Sequence, residues 1–235
     1  MLALDRKAPI RSVYLCLGAD SVRLELSAIC PSQSCLTPLE QCAECPFARL
    51  IHLGASGHTS YVTCAPDPTT VPSSIDDAVP SASAALPRTE LRVLRNSRVD
   101  DVTHCVDALG VTVAAVIDDE QHPLGIVSPT TLLRESARLC VVQTRPRMLA
   151  SDAMDPVALV LPARTPLPQA AAAMAYEEAS TTCLIDDEHR LVGLLTPIDV
   201  LRALAATAGY VLAPRGRSVR DPTLRGPAMS RPQYL

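Results

Sequence analysis

One passage of this 235-residue chain is written twice. Ile117–Ala137 (IDDEQHPLGIVSPTTLLRESA) and Ile185–Ala205 (IDDEHRLVGLLTPIDVLRALA) align without a gap at an offset of 68 residues. Ile, Asp-Asp-Glu, Gly, Pro, Leu, Arg and Ala recur in register. A turn, a glycine and a helix start repeated together fix the architecture before any other signal. Two copies are too few for a solenoid, so the chain must build two like units about a pseudo-twofold axis.

The unit reads as helix–strand–turn–strand–helix. In the first copy, helical periodicity covers Val99–Leu109, strands are expected at Val113–Ile117 and Leu124–Val127, and a helix at Thr131–Leu139. In the second copy Thr165 is placed to cap a helix opened by Pro166, with Ala170–Ala179 following. Thr181–Ile185 and Leu191–Leu195 are β-prone around the polar turn Asp186–Arg190, and Pro197 and Asp199 open a helix over Val200–Ala208. Gly193 would let another backbone approach closely. A two-strand hairpin is marginal alone, and two such units packed together bury each other's apolar faces. The fold class is α+β.

With one Phe, five Tyr and no Trp, the core must be built from aliphatic side chains, which are abundant at 48% apolar residues overall. A net charge of −4 exerts no general pull on nucleic acid. No run reaches the roughly 18 uncharged apolar residues of a membrane helix, and Met1–Ile10 lacks the apolar stretch of a secretion signal. The expected location is the cytoplasm, where cysteines serve more often as thiols or metal ligands than in disulfides.

Composition divides the chain into a Cys-rich segment (1–64), a Pro/Ser/Ala-rich linker (65–87), the two repeats (88–145 and 146–210) and an Arg/Pro-rich tail expected to be disordered (211–235).

The repeat resembles the CBS domain, which occurs in tandem as Bateman modules. The resemblance rests on Leu191-Val-Gly-Leu-Leu-Thr-Pro-Ile-Asp199, on Ala153-Met-Asp-Pro156 with Val157–Val160, and on Thr165-Pro-Leu167; it covers roughly residues 89–208. It implies a regulatory module without chemistry of its own, paired head to head as a homodimer, that binds AMP, ADP, ATP or S-adenosylmethionine between its copies. Carried onto this chain, Asp199 would accept hydrogen bonds from ribose hydroxyls, and Thr196 and Pro197 would lie at the ribose or phosphate. The adenine would lie near Ala158–Val160 and Thr181–Cys183, with Ala158 and Thr182 as contacts. The physics agrees: a carboxylate only accepts, which suits two vicinal hydroxyls, and a helix start offers free N–H donors. In the first copy Ser128 stands where Thr196 does, but Thr131 replaces the acid, so at most one good ribose site is expected, in the second copy.

In the Cys-rich segment, Cys42-Ala-Glu-Cys45 sets two thiols on one tight turn, with Cys30 upstream and Cys64 closing a β-like run, Thr59–Thr63, that follows a turn at Gly54–Gly57. Four such thiolates suit tetrahedral Zn²⁺, and Cys30, Cys42, Cys45 and Cys64 are the expected set. Cys35 could replace Cys30. Inert thiols, and a redox pair at Cys42 and Cys45 with Phe47–Ile51 as its helix, remain open. His52 and His58 read as loop or strand residues, and Cys16, Cys105, Cys140 and Cys183 as core. The functions left standing are a ligand sensor working through an unknown protein partner, or a dimeric interaction or transcription-linked protein.

Overall fold

The computed structural model describes residues 5–18, 21–33, 35–53, 60–65, 79–141 and 148–208, without the side chains of 136–141. The tail beyond 208, most of the expected linker, His58, the turn at Gly54–Gly57 and the side chain of Cys140 lie outside these residues.

The first repeat consists of β6 (Thr89–Leu94), α2 (Val99–Leu109), β7 (Ala114–Ile117), β8 (Pro123–Val127) and α3 (Pro129–Val141). The second consists of α4 (Ala150–Ala153), β9 (Asp155–Pro156), β10 (Val160–Pro162), α5 (Leu167–Tyr176), β11 (Thr182–Ile185), β12 (Leu191–Leu195) and α6 (Pro197–Thr207). Matching strands fold alike in both: β6 lies parallel to β7 and β7 antiparallel to β8, as β10 lies parallel to β11 and β11 antiparallel to β12. Gly110, at φ 62°, ends α2 in the left-handed conformation that glycine adopts without penalty. The repeats meet through Ala115 and Ile117 of one and Cys183, Leu191 and Leu194 of the other, all buried.

The duplication reaches further upstream than its sequence suggested. Ala82–Ala85, placed in the linker, is a 3-10 turn that stands to the first repeat as α4 stands to the second. Ala82 N–H donates to Thr165 O and Ser83 N–H to Ala163 O; 68 residues on, Ala150 N–H donates to Ser97 O and Ser151 N–H to Arg95 O. The bridge Ser81↔Pro166 is likewise matched by Arg98↔Leu149. Each repeat therefore lends its lead-in segment to the other. Ala82 is fully buried in the second repeat's core, together with Ala163, Leu167, Leu184 and Val192. The same exchange moves the cap of α5: Pro166 occupies that position without a side-chain bond, while Thr165 is buried and its carbonyl is taken by Ala82.

The Cys-rich segment is not a separate appendage. Its strand β1 (Arg6–Gly18) pairs antiparallel with β2 (Ser21–Ile29) and, from Ser12 to Cys16, parallel with β6. The first repeat's sheet thereby grows to the order β3-β2-β1-β6-β7-β8-β9, with β3 at Leu36–Pro38. Strands β4 (Ala48–His52) and β5 (Tyr61–Cys64) pair with each other, and β5 pairs with the start of β1. The helix that a redox pair would have needed over Phe47–Ile51 is thus a strand. Cys42 sits instead in the short helix α1 (Leu39–Glu44), which Cys45 ends.

A Cβ on Gly193 would stand 2.7 Å from Glu90 Oε2, 2.8 Å from Leu86 Cδ1 and 3.0 Å from Arg11 Nη2. Gly193→Ala is therefore expected to destabilise the chain by about 1–3 kcal/mol, the usual range for overpacking. Urea denaturation should show a lower midpoint with an unchanged slope.

Candidate functional site

The end of β12 delivers Thr196 to the start of α6, one turn ahead of Asp199. Thr196 donates from its backbone N–H (3.1 Å) and its hydroxyl to Asp199 Oδ2. Asp199 Oδ1 faces Arg202 Nη1 at 3.5 Å. Asp199 is only 5% exposed, whereas Pro197 beside it is open to solvent. Thr182, on the neighbouring strand, is paired with Leu195 in the β11–β12 ladder, next to Thr196. Its hydroxyl is fully buried and, among the described residues, has no hydrogen-bond partner. Such an orphan costs about 1–3 kcal/mol. Leu159 O accepts from Cys183 N–H, which brings the exposed Ala158 to the same end of the sheet. Topology thus gathers Ala158, Thr182, Thr196, Pro197 and Asp199 at one edge of the second repeat.

The first repeat has a corresponding edge with a different source of charge. Ser128 Oγ caps α3, accepting from Thr131 N–H at 3.2 Å. The buried Thr131 hydroxyl donates to Asp155 Oδ2 at 2.8 Å, and Arg134 Nη2 reaches Asp155 Oδ1 at 2.7 Å. The carboxylate absent at position 131 is supplied by β9, the second repeat's lead-in. Hydrogen bonds from Arg134 and then Thr131 hold the Asp155 carboxyl below the usual carboxylate range. Sequence alignment within the repeat could not find Asp155, because its counterpart under the 68-residue shift is Pro87.

Between the repeats lies a buried ionic cluster that the sequence did not announce. Glu90 on β6 accepts from Arg92 Nε at 2.8 Å and from Arg11 Nη2 at 2.9 Å, with all three residues at most 4% exposed. Arg11 also donates to Pro87 O (2.8 Å) and Val192 O (2.9 Å), and Leu194 N–H donates to Glu90 Oε2 (3.3 Å). The outer edge of β12 is thereby satisfied by side chains, where the equivalent edge of β8 is satisfied by strand β9. Burial weakens the hold of the Arg11 guanidinium on its proton; Glu90 and, further off, Asp199 oppose this. Arg11 therefore lies within electrostatic reach of the candidate carboxylate.

Burial alone would raise the Glu90 pKa, but Arg92 and Arg11 overcome it and hold the carboxyl below its ordinary value. Its contribution to stability is therefore complete above the ordinary carboxylate range and is lost as pH falls through the depressed native value. Glu90→Gln, which leaves two buried guanidinium groups without a counter-charge, is expected to cost about 3–5 kcal/mol at neutral pH. The gap between wild type and variant, read by denaturant unfolding, should narrow below about pH 4.

The thiols fall into two groups. Cys16 and Cys105 lie 2.9 Å apart in the first repeat's core, where burial and then Cys105 push Cys16 up to about 12. Cys183 is pushed up to about 12 by burial and by Glu90. The second group is peripheral: Cys30, Cys42, Cys45 and Cys64. Burial, followed by Cys64, Cys30, Cys45 and Cys35, raises Cys42 to about 11. No three of these sulfurs come within 4.8 Å of one another; among the described residues only Asp118, Glu120 and His122 form such a set. In the second copy Arg190 takes the place of His122 and pairs with Asp186, which marks that turn as a self-closing ionic one.

Residues 150–206 match the sequence profile of the CBS domain. The second repeat is a CBS domain. No curated protein matches the chain by sequence. Among solved structures, the chain is similar to CBSX2 from Arabidopsis thaliana at 24% identity, covering 58% of this chain and 97% of that one, with a TM-score of 0.44. It is similar to CBSX2 in complex with AMP at 24% identity, covering 55% and 98%, with a TM-score of 0.47. A third is the CBS domain pair of protein MJ0100 in complex with 5'-methylthioadenosine and S-adenosyl-L-methionine, at 15% identity, covering 55% and 98%, with a TM-score of 0.47. No helix among the described residues is long and apolar enough to cross a membrane.

Proposed function

We propose that the two repeats form a non-enzymatic sensor for an adenosine-containing ligand, AMP, ADP, ATP or S-adenosylmethionine, bound at the Asp199 edge of the CBS domain. The observation that carries this reading is the unpartnered Thr182 hydroxyl, buried beside Thr196 and Asp199 where the family places its nucleoside. Asp199 can give up its contacts within α6 to accept from ribose hydroxyls, and the start of α6 presents N–H groups to a phosphate. Because Asp199 is covered and held by Thr196 and Arg202, binding would displace these contacts and move the start of α6. A ligand does this only by favouring the shifted state, which is the signal a partner protein would read.

Isothermal titration of the full chain against the four ligands tests the reading. A Kd near 10 μM would also stabilise the fold by about 2.7 kcal/mol at about 1 mM ligand. Silence across the panel would refute it. Asp199→Asn, which keeps an acceptor for Thr196 N–H and loses the charge, should weaken binding about 10–100-fold. Thr182→Val should leave stability unchanged or improved and yet reduce affinity.

The helices favour a homodimer. Ile198, Leu201 and Leu204 line one stripe of α6 at 49%, 60% and 43% exposure. A groove of about 790 Å³ between α2 and α3, lined by His104, Val106, Leu132 and Leu133, offers a place for apolar side chains of a second copy. Leu201→Glu is expected to yield monomers in light scattering, against dimers for the wild type.

A further inference from the structure

The peripheral thiols stand at one end of the N-terminal sheet, brought there by three elements, β2, α1 and β5. Cys30 follows β2 and closes a turn through Cys30 N–H to Cys35 O at 2.9 Å. Cys42 lies in α1, and Cys45 ends that helix with its N–H on Cys42 O at 3.3 Å. Ala48 N–H then returns to Cys45 O at 3.1 Å, and Ala48 pairs with Cys64 at the end of β5. Cys42 and Cys64 share one small cluster with Ala8, Ile10, Ala28 and Val62. Nothing in that cluster is larger than isoleucine or leucine, so little apolar surface holds α1, β4 and β5 to the rest of the chain.

We propose that Cys30, Cys42, Cys45 and Cys64 close around one divalent ion of the Zn²⁺ class as a structural thiolate site. The structure separates Cys30 from Cys35, which the sequence left as alternatives. Cys35 Sγ is instead turned onto Gln33 Oε1 (3.5 Å) and Thr37 Oγ1 (3.6 Å). Without an ion, each thiolate would raise the cost of the next; a divalent cation reverses that sign and draws the sulfurs to the roughly 2.3 Å metal–sulfur distance of a tetrahedral site. No three of the four sulfurs lie within 4.8 Å of one another, so closing the site means rotating side chains on α1 and its flanking turns, and metal affinity becomes local folding stability. The four thiols lose their protons on binding, with no change in oxidation state.

The full chain, purified under reducing conditions, is expected to carry one zinc per molecule by elemental mass spectrometry. Reconstitution with Co²⁺ should give a thiolate charge-transfer band and the intense visible bands of a tetrahedral ion. Ser substitution at Cys30, Cys42, Cys45 or Cys64 should abolish both readouts, and Cys35→Ser should leave both intact. Since a Ser variant can fail by misfolding, the wild type supplies a second readout: thiol-reagent titration should count four more reactive cysteines after chelation than before. Metal-free protein that also gives no cobalt spectrum overturns the proposal. So does a Cys35→Ser variant that loses the metal, or a thiol count unmoved by chelation.

Discussion

The two repeats are held in relation to each other, and to the N-terminal strand, by one buried carboxylate. Glu90 takes Arg11 from β1 and Arg92 from its own strand, while the same three side chains satisfy the open edge of β12 in the other repeat. Burying three charges is expensive, and the arrangement is tolerable only because nearly every donor has an acceptor: Pro87 O and Val192 O for Arg11, Gln121 Oε1 for Arg92. An apolar trio could fill the volume but could not satisfy Val192 O and Leu194 N–H. The cluster therefore specifies, together with the exchanged lead-in segments, how the repeats dock.

This placement breaks the pseudo-twofold symmetry. At one edge, β8 completes its hydrogen bonds with a strand, β9, whose Asp155 turns its carboxylate toward Thr131. At the other, the equivalent segment has been drawn away by β1, since Arg88 O accepts from Ser12 N–H, and side chains take over the edge of β12. Proline at position 87, lacking both a carboxylate and an N–H, fits the second arrangement and would leave Thr131 unsupported in the first. The acid is thus carried by the helix in one repeat and by the lead-in strand in the other.

Much of this was legible in the chain. The repeat set the α+β class; helix α2 and strand β12 were predicted to the residue, and β7, β8, α3, α5, β11 and α6 lie within a few residues of their expected positions, while β6, α4, β9 and β10 were not expected. What escaped was long-range pairing. Ala82-Ser83 and Ala150-Ser151 are the same lead-in, but in a stretch already rich in Ser, Ala and Pro the match is hidden by composition. Arg11 and Glu90 sit 79 residues apart on strands whose local pattern gives no hint that they touch. The strand at Ala48–His52, where the redox alternative would have needed a helix, is set by its pairing with β5, a tertiary constraint that local sequence does not carry.

The burial of Asp199 follows from the same asymmetry. A carboxylate at a helix start is satisfied within its own turn by Thr196, and here Arg202 also faces it. Asp155, by contrast, has a side chain 42% exposed and is held by an Arg134 that is itself 45% exposed. The two edges thus differ: Asp199 is covered and held within its own helix by Thr196 and Arg202, while Asp155 is held at the surface. Arg11 also ties the edge of β12 to the N-terminal sheet, because β1 is continuous from Arg6, paired with Cys64 of β5, to Cys16 in the first repeat's core.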